Sequence, residues 1–169
     1  MCLVKIKSAD LHKAYTEGMD EYVGLIVDSI NESIGNVLDS STMSRLNADQ
    51  ITLLAYYSMH EEVMDGGFVQ LIYNGYGPFV FLNPFAKALK GWGLEDLASL
   101  VKKGGKLYRK YHKEIEIECS DEEFMALFER YPDFDVLDDA FVENEEIWTR
   151  EIATYVENNI GHFAEVEND

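Results

Sequence analysis

The sequence predicts an all-α protein, folded as a single compact multi-helix domain over residues 1–169. Apolar residues make up 47% of the chain and recur near the helical period along most of it. Only three prolines interrupt the 169 residues, and two capping boxes precede helical segments. A chain of this length can bury a hydrophobic core without disulfides or metals.

The N-terminal part is predicted to contain two helices joined by a polar connection. Ser8 is the candidate N-cap of the first helix, expected over residues 9–29. The polar stretch 35–45 is predicted to be the connection. Asn47 then precedes Gln50 at the capping-box spacing, which indicates the start of the second helix.

Glycine and proline divide the middle of the chain. Gly66-Gly67 is predicted to break or bend the second helix. A short helix over residues 68–73 should end at Asn74-Gly75, since both residues suit a left-handed C-cap. Asn83-Pro84 then indicates another helix start, because proline is favoured in the first turn.

The C-terminal half is predicted to hold further helices and one ambiguous segment. A helix over residues 94–103 is expected to end at Gly104-Gly105. Residues 106–118 are ambiguous, since the first half looks helical and the end alternates like a strand. Ser120 opens the second capping box, and the last long helix is expected over residues 137–159.

The chain has a formal net charge of −18 at pH 7, and this charge is unevenly distributed. Residues 1–85 hold 4 Lys and Arg against 11 Asp and Glu, residues 86–113 hold 8 against 2, and residues 114–169 hold 2 against 19. The three segments therefore carry −7, +6 and −17. Because an acidic surface repels nucleic acids and anionic membranes, we expect neither to bind directly; basic proteins are the expected partners.

The cysteines and the hydropathy pattern indicate the cellular compartment. Cys2 and Cys119 are far apart and match no metal-binding or redox spacing. No apolar run approaches a membrane span, and the N-terminus lacks the apolar stretch of a signal peptide. We therefore expect a soluble, cytoplasmic protein.

No group of residues nominates an active site. The four histidines are scattered, and His60-Glu61-Glu62 lacks the second histidine of a zinc-binding helix. The glycine pairs lack the lysine context of a phosphate-binding loop. We predict that the protein is not an enzyme and uses no metal or cofactor.

The most distinctive stretch is residues 62–77, which contains Met64-Asp65-Gly66-Gly67-Phe68. It resembles the nineteen-kilodalton DNA-mimic protein family, a bacterial family also known as a domain of unknown function, whose hallmark is an Asn-Asn-Gly-Gly-Phe-type motif. Met64 and Asp65 depart from that motif. The matching positions are Glu62, Val63, Gly66, Gly67, Phe68, Gln70, Tyr73, Asn74 and Gly77.

The resemblance extends over about residues 10–160 and carries expectations for fold and function. It implies an all-helical homodimer whose acidic surface imitates DNA phosphates and occupies a DNA-binding transcription factor. The motif residues themselves are expected to be structural. These are Glu62, Gly66, Gly67, Phe68, Gln70 and Asn74.

The residues predicted to bind the partner lie on or beside the final helix. On a helical wheel, carboxylates cluster opposite the apolar side, with Arg150 among them and paired with Glu146 at i, i+4 spacing. Neighbours three or four residues apart have Cβ atoms roughly 5–6 Å apart. The predicted acidic face comprises Asp135, Asp138, Asp139, Glu143, Glu146 and Glu157.

Charge density limits this prediction. Duplex DNA carries one charge per about 1.7 Å of axis. The −17 of residues 114–169, spread along one helix, gives one charge per roughly 5 Å. Mimicry would therefore require several acidic elements side by side, or a dimer that joins two such faces.

A basic block complicates the acidic picture. We expect it to pair with the acidic last third, within or between subunits, since it lies in a strongly repulsive field for nucleic acid. The block consists of Lys87, Lys90, Lys102, Lys103, Lys106, Arg109, Lys110 and Lys113.

The sequence therefore predicts an acidic protein-interaction module of the DNA-mimic type. Its expected partner is a basic DNA-binding protein such as a transcription factor. One alternative is an immunity or antitoxin-like protein that neutralises a basic toxin. Another is a helical scaffold or small-molecule binder whose acids only confer solubility, because a charged stripe opposite an apolar stripe is also the ordinary solvated face of a helix.

Overall fold

The computed structural model describes residues 4–169 and confirms the all-α prediction. Within this range the chain forms ten α-helices, one 3-10 turn and one two-stranded sheet. Cys2 lies outside the described residues. The described chain forms two compact units: unit 1 extends to Tyr57 and includes Glu146–Asp169, and unit 2 is Ser58–Glu145. That they constitute one domain stays a prediction.

Unit 1 contains the N-terminal helices and both strands. The chain passes between the units within two long helices, α4 (Ala48–Tyr73) and α9 (Asp135–Asn158). The other elements of unit 1 are β1 (Lys5–Lys7), α1 (Ser8–Glu17), α2 (Met19–Ser33), α3 (Ser40–Met43), α10 (Ile160–Phe163) and β2 (Glu165–Glu167).

The single helix predicted over residues 9–29 is wrong, because Gly18 separates it into α1 and α2. Gly18 has φ +152° and ψ 172°, so the helical ladder ends at Glu17 and restarts at Met19. The predicted polar connection contains a short helix, α3, which is capped by the side chain of Asp39.

The predicted start of α4 is confirmed atom by atom. The backbone N–H of Gln50 donates to Asn47 Oδ1 at 2.8 Å, and that of Asn47 donates to Gln50 Oε1 at 3.0 Å. The same two side chains also donate to the carbonyls of His162 and Phe163. The capping box therefore also holds the C-terminal part of unit 1.

The two strands pair residues from opposite ends of the sequence. β1 and β2 are parallel, with Lys5 opposite Glu165 and Lys7 opposite Glu167. Lys5 Nζ lies 2.6 Å from Glu167 Oε1. The acidic tail residues are therefore partly neutralised within unit 1.

Unit 2 is a helical assembly around a core of aromatic residues. Phe68 contacts Phe81 and Phe141, with ring centroids 6.2 and 6.5 Å away. Besides parts of α4 and α9, the unit contains α5 (Gly77–Phe81), α6 (Phe85–Gly91), α7 (Glu95–Ile115), α8 (Asp121–Arg130) and a 3-10 turn (Pro132–Phe134).

The predicted bend at the glycine pair of α4 is confirmed. Gly66 and Gly67 have non-helical backbone angles, and Gly67 lies in the left-handed region at φ +77°. After the bend the helix continues to its last residue, Tyr73, and the chain turns away at Gly75, whose φ is +89°. Gly75 N–H donates to the Ile72 carbonyl in a left-handed C-cap, as predicted.

The predicted helix end at Gly104-Gly105 is wrong, because both glycines lie inside the 21-residue helix α7. A Cβ at Gly104 would lie 2.9 Å from Phe81 Cε1, so the glycine permits close contact with that ring. The ambiguous segment is helical up to Ile115, and its last residues, 116–118, form no strand. Within residues 4–169, no helix is sufficiently long and apolar to cross a bilayer.

Candidate protein-binding surface

Helix α9 positions the predicted carboxylates, because one of its sides is apolar and buried. In unit 2 that side consists of Leu137 and Phe141, and in unit 1 it includes Trp148, Ile152 and Val156. These residues recur at three- or four-residue intervals, so the opposite side of the helix faces solvent.

In unit 2, three of the predicted carboxylates lie on the exposed side of α9. Asp135, Asp139 and Glu143 are exposed and follow each other at four-residue intervals. Four residues of helix advance about 6 Å along the axis. Within the part of the chain that the structure describes, no Lys or Arg nitrogen lies within 4.0 Å of these carboxylates. They therefore form an unneutralised row.

Two exposed valines flank this row. Val136 is 73% exposed and Val142 is 52% exposed, although both are apolar and lie on the same helix. Single exposed apolar side chains are common on protein surfaces, but these two lie on either side of the carboxylates, where a bound partner would cover them. We call Asp135, Val136, Asp139, Val142 and Glu143 the α9 acidic strip.

Asp138 has a different environment from its neighbours on α9. Its Oδ1 accepts a 2.8 Å hydrogen bond from the backbone N–H of Phe68. Burial raises the pKa of this carboxyl to about 6, with further upward contributions from Asp135 and Asp139, while the Phe68 hydrogen bond opposes the shift. Asp138 is therefore not part of the α9 acidic strip.

The contact with Asp138 explains Gly67, the second glycine of the motif. Phe68 is at the start of the helical segment that follows the bend, where backbone N–H groups have no helical partner. Asp138 supplies the acceptor, and a Cβ at Gly67 would lie only 2.5 Å from its Oδ2. Only glycine combines the left-handed φ with this close approach.

The polar residues of the motif bind each other across the bend. Gln70 Nε2 donates to Asp65 at 2.8 Å and to Glu62 at 3.2 Å, and Asn74 Nδ2 donates to Glu62 at 2.8 Å. These bonds connect the helical segments before and after Gly66. Met64 is 41% exposed and lies outside the network.

Two further predicted carboxylates, Glu146 and Glu157, belong to unit 1 and are exposed on α9. Glu146 and Arg150 have the spacing of an ion pair, but their charged atoms are more than 4.0 Å apart. Glu157 is sufficiently close to Tyr22 to contribute to the raised pKa of that phenol, about 12, whose main cause is burial.

Unit 1 also has an acidic groove that the sequence analysis missed. It has a volume of about 530 Å³ and lies along α1 and α2. Its single lining cation, Lys13, forms a 3.9 Å ion pair with Glu17. Separate helical wheels for α1 and α2 carry the signal, since Asp10 and Glu17 are seven residues apart on α1, as are Glu21 and Asp28 on α2. The lining carboxylates are Asp10, Glu17, Asp20, Glu21 and Asp28.

Comparison with known proteins places these features in a family. A family model described as DMP19-like protein matches residues 44–159, which include the motif and all of α9. The chain is also 32% identical, over 126 residues, to the DNA mimic protein DMP19 of Neisseria meningitidis serogroup B. That match covers 74% of this chain and 76% of the relative. These findings confirm the resemblance inferred from the motif: the chain belongs to the DMP19-like protein family.

Proposed function

We propose that this protein is a non-enzymatic DNA mimic that occupies a basic DNA-binding protein, such as a transcription factor, and excludes DNA from it. The relative's name, DNA mimic protein, supports the class of function. The observation that carries the proposal is the α9 acidic strip, in which three exposed carboxylates lack ion partners among residues 4–169 and two valines flank them.

The spacing of the strip suits an imitation of one DNA strand. A DNA strand carries a phosphate per about 3.4 Å of axis, and the strip carries a carboxylate per about 6 Å. The strip therefore supplies about half of the strand's charge density. The homodimer that we propose would present a second strip, and sedimentation equilibrium measures whether it forms.

The exposed valines offer apolar contacts beside the carboxylates. Charge pairs guide a basic partner to the surface and set its orientation, whereas affinity requires contacts from which water is excluded. Val136 and Val142 can supply such contacts beside Asp139.

The test is capture of the partner followed by competition with duplex DNA. The protein is immobilised, exposed to a lysate of its host, and washed at increasing salt. We expect a basic DNA-binding protein that duplex DNA displaces, with affinity that falls as salt screens the charges. Recovery of no basic DNA-binding protein, or of one that DNA does not displace, would contradict the proposal.

A matched pair of variants locates the binding surface. The strip variant is Asp135→Asn, Asp139→Asn and Glu143→Gln. The control variant changes three exposed carboxylates elsewhere, Glu32→Gln, Glu118→Gln and Glu129→Gln. Both change the formal charge from −18 to −15. The strip variant should weaken binding about tenfold or more, corresponding to about 1.4 kcal/mol, and the control should have a much smaller effect.

The antitoxin alternative is an outcome of the same capture. If the captured protein is a nuclease or another basic toxin, co-expression should rescue cell growth. The strip variant should then abolish the rescue while the control variant retains it.

A further inference from the structure

We propose that unit 2 contains a second binding site, a cationic groove that takes a small aromatic polyanion. The groove has a volume of about 370 Å³ and lies between the end of α5, the start of α6 and the middle of α7. Small-molecule sites commonly occupy roughly 300–1,000 Å³. This site is independent of the α9 acidic strip and of the proposed DNA mimicry.

Four cations line the groove. Lys102, Lys106 and Arg109 follow each other at intervals of four and three residues, which places them on the same side of α7, and Lys87 faces them from α6. Across residues 4–169, no carboxylate lies within 4.0 Å of any of the four. Pairing with the acidic last third inside the chain, expected from the sequence, therefore does not occur here. Four adjacent positive charges repel each other, and a bound polyanion would relieve that repulsion.

The floor of the groove is apolar and includes an aromatic ring. Val80, Phe81, Pro84 and Val101 contribute to it. Gly105 has no side chain, and a Cβ there would lie 3.6 Å from Phe81 Cδ1 and 3.8 Å from Arg109 Nη1. Phe81 and Arg109 thus border the space above Gly105, and the guanidinium can stack on a flat apolar group there.

Asn83 adds a hydrogen-bond donor at the edge of the groove. Its Oδ1 already accepts a 3.0 Å bond from the Phe85 backbone N–H, so its NH₂ group is the part available to a ligand. The groove therefore combines cations, an amide donor and an apolar floor. This combination selects a ligand with several negative charges and a flat apolar body.

The charge of the whole chain favours a small ligand over a long polyanion. A nucleic acid or an anionic membrane would extend beyond the groove into a field set by −18 net charges. A small molecule would contact the four cations without meeting the acidic elements.

The test is calorimetric titration with 1,5-naphthalenedisulfonate, which carries two negative charges on an aromatic body. We expect saturable binding at one site per chain, and much weaker binding of sulfate, which has no apolar body. The groove variant is Lys87→Gln, Lys102→Gln and Lys106→Gln. The control is Lys90→Gln, Lys103→Gln and Lys113→Gln, since these lysines lie on the same two helices but do not line the groove.

The groove variant should weaken binding of the disulfonate at least tenfold, and the control variant less than twofold, with unchanged circular dichroism in both. Equal losses in the two variants would overturn the proposal, because the anion would then sense only overall charge. Equal affinities for sulfate and the disulfonate would also overturn it. Tighter binding of a duplex oligonucleotide than of the disulfonate would overturn it as well. A change of oligomeric state in the groove variant alone would also overturn it, because the groove would then belong to a protein interface.

Discussion

Unit 1 and unit 2 have the same formal charge but reach it differently. Unit 1 holds 14 Asp and Glu against 5 Lys and Arg, and unit 2 holds 18 against 9, so each carries −9. In unit 1, Lys5 and Lys13 form ion pairs with Glu167 and Glu17. In unit 2, the described structure contains no ion pair for the basic block, whose eight members lie on α6 and α7.

The comparison shows that net charge alone does not identify a binding surface. In unit 1, the ion pair between Lys13 and Glu17 offsets part of the negative charge of the acidic groove. In unit 2, the cationic groove lies on α6 and α7 and the acidic strip lies on α9, and the charges of neither have an ion partner within 4.0 Å among the described residues. We therefore propose that the unpaired charges, rather than the total, mark the binding surfaces.

The largest expected effects on stability concern two glycines with positive φ, Gly67 in unit 2 and Gly18 in unit 1. Gly67→Ala in unit 2 should lower the free energy of unfolding by about 3 kcal/mol or more. Its Cβ would lie 2.5 Å from Asp138 Oδ2, and the hydrogen bond to Phe68 holds that carboxylate in place. Urea unfolding monitored by circular dichroism measures the change.

Gly18→Ala is the matched variant in unit 1. Its Cβ would also lie 2.5 Å from a carboxylate oxygen, that of Glu21, but this side chain is exposed and can move away. The remaining penalty is the backbone conformation, φ +152° and ψ 172°, which residues other than glycine rarely adopt, and we expect a loss of about 1–2 kcal/mol. A larger loss for Gly18→Ala than for Gly67→Ala would contradict the assigned role of Asp138.

Two adjacent glycines of α7 should respond in opposite directions. Gly104→Ala should destabilise the protein by about 2 kcal/mol, since its Cβ would lie 2.9 Å from Phe81 Cε1. Gly105→Ala meets only ordinary contacts, from 3.6 Å outwards, so helix propensity should stabilise it by up to about 1 kcal/mol. Thermal unfolding of both variants measures the difference, and equal effects would contradict the close packing of Phe81 on Gly104.

A smaller effect on stability should distinguish Asp138 from its neighbour Asp139 on α9. The pKa of Asp138 is about 6 in the folded protein and 3.8 in an unperturbed carboxyl. The folded state therefore binds the proton of Asp138 more tightly than the unfolded state does. The stability that this protonation contributes is complete below pH 4 and is lost as pH rises through 6. Asp138→Asn retains an acceptor for the Phe68 N–H and removes the buried charge. It should raise the free energy of unfolding at pH 7.5 by about 1–2 kcal/mol.

Asp139→Asn is the control, because Asp139 is exposed. Urea unfolding between pH 4 and 8 gives the stability difference between each variant and the unmodified protein. For Asp138→Asn this difference should grow with pH across the interval, and for Asp139→Asn it should grow much less, since Asp139 makes only a smaller contribution to the raised pKa of Asp138. A flat profile for Asp138→Asn would show that its carboxyl titrates normally.

The sequence predicted the features that depend on residues close together in the chain. The capping boxes beginning at Asn47 and Ser120 are both confirmed, because each is complete within four residues. The bend at Gly66-Gly67 is likewise local. The exposed side of α9 also followed from the periodicity of its apolar residues.

Features that depend on distant residues escaped the sequence analysis. Gly104-Gly105 resembles a helix end, and only the contact with Phe81 explains glycine inside α7. The pairing of β1 with β2 joins residues about 160 positions apart, for which no local pattern exists. Asp138 belongs to the same acidic pattern as Asp139, and only its bond to Phe68, 70 residues away, distinguishes it.

Competition with DNA for the captured partner, measured for variants of the two acidic surfaces, tests the central claim most directly. The variants are Asp135→Asn, Asp139→Asn, Glu143→Gln in unit 2 and Asp20→Asn, Glu21→Gln, Asp28→Asn in unit 1, which remove equal charge. If the α9 acidic strip imitates DNA, the concentration that displaces the duplex should be at least tenfold higher for the unit 2 variant than for the unmodified protein. For the unit 1 variant it should be less than threefold higher. The reverse order, or equal displacement by both variants and the unmodified protein, would contradict the claim.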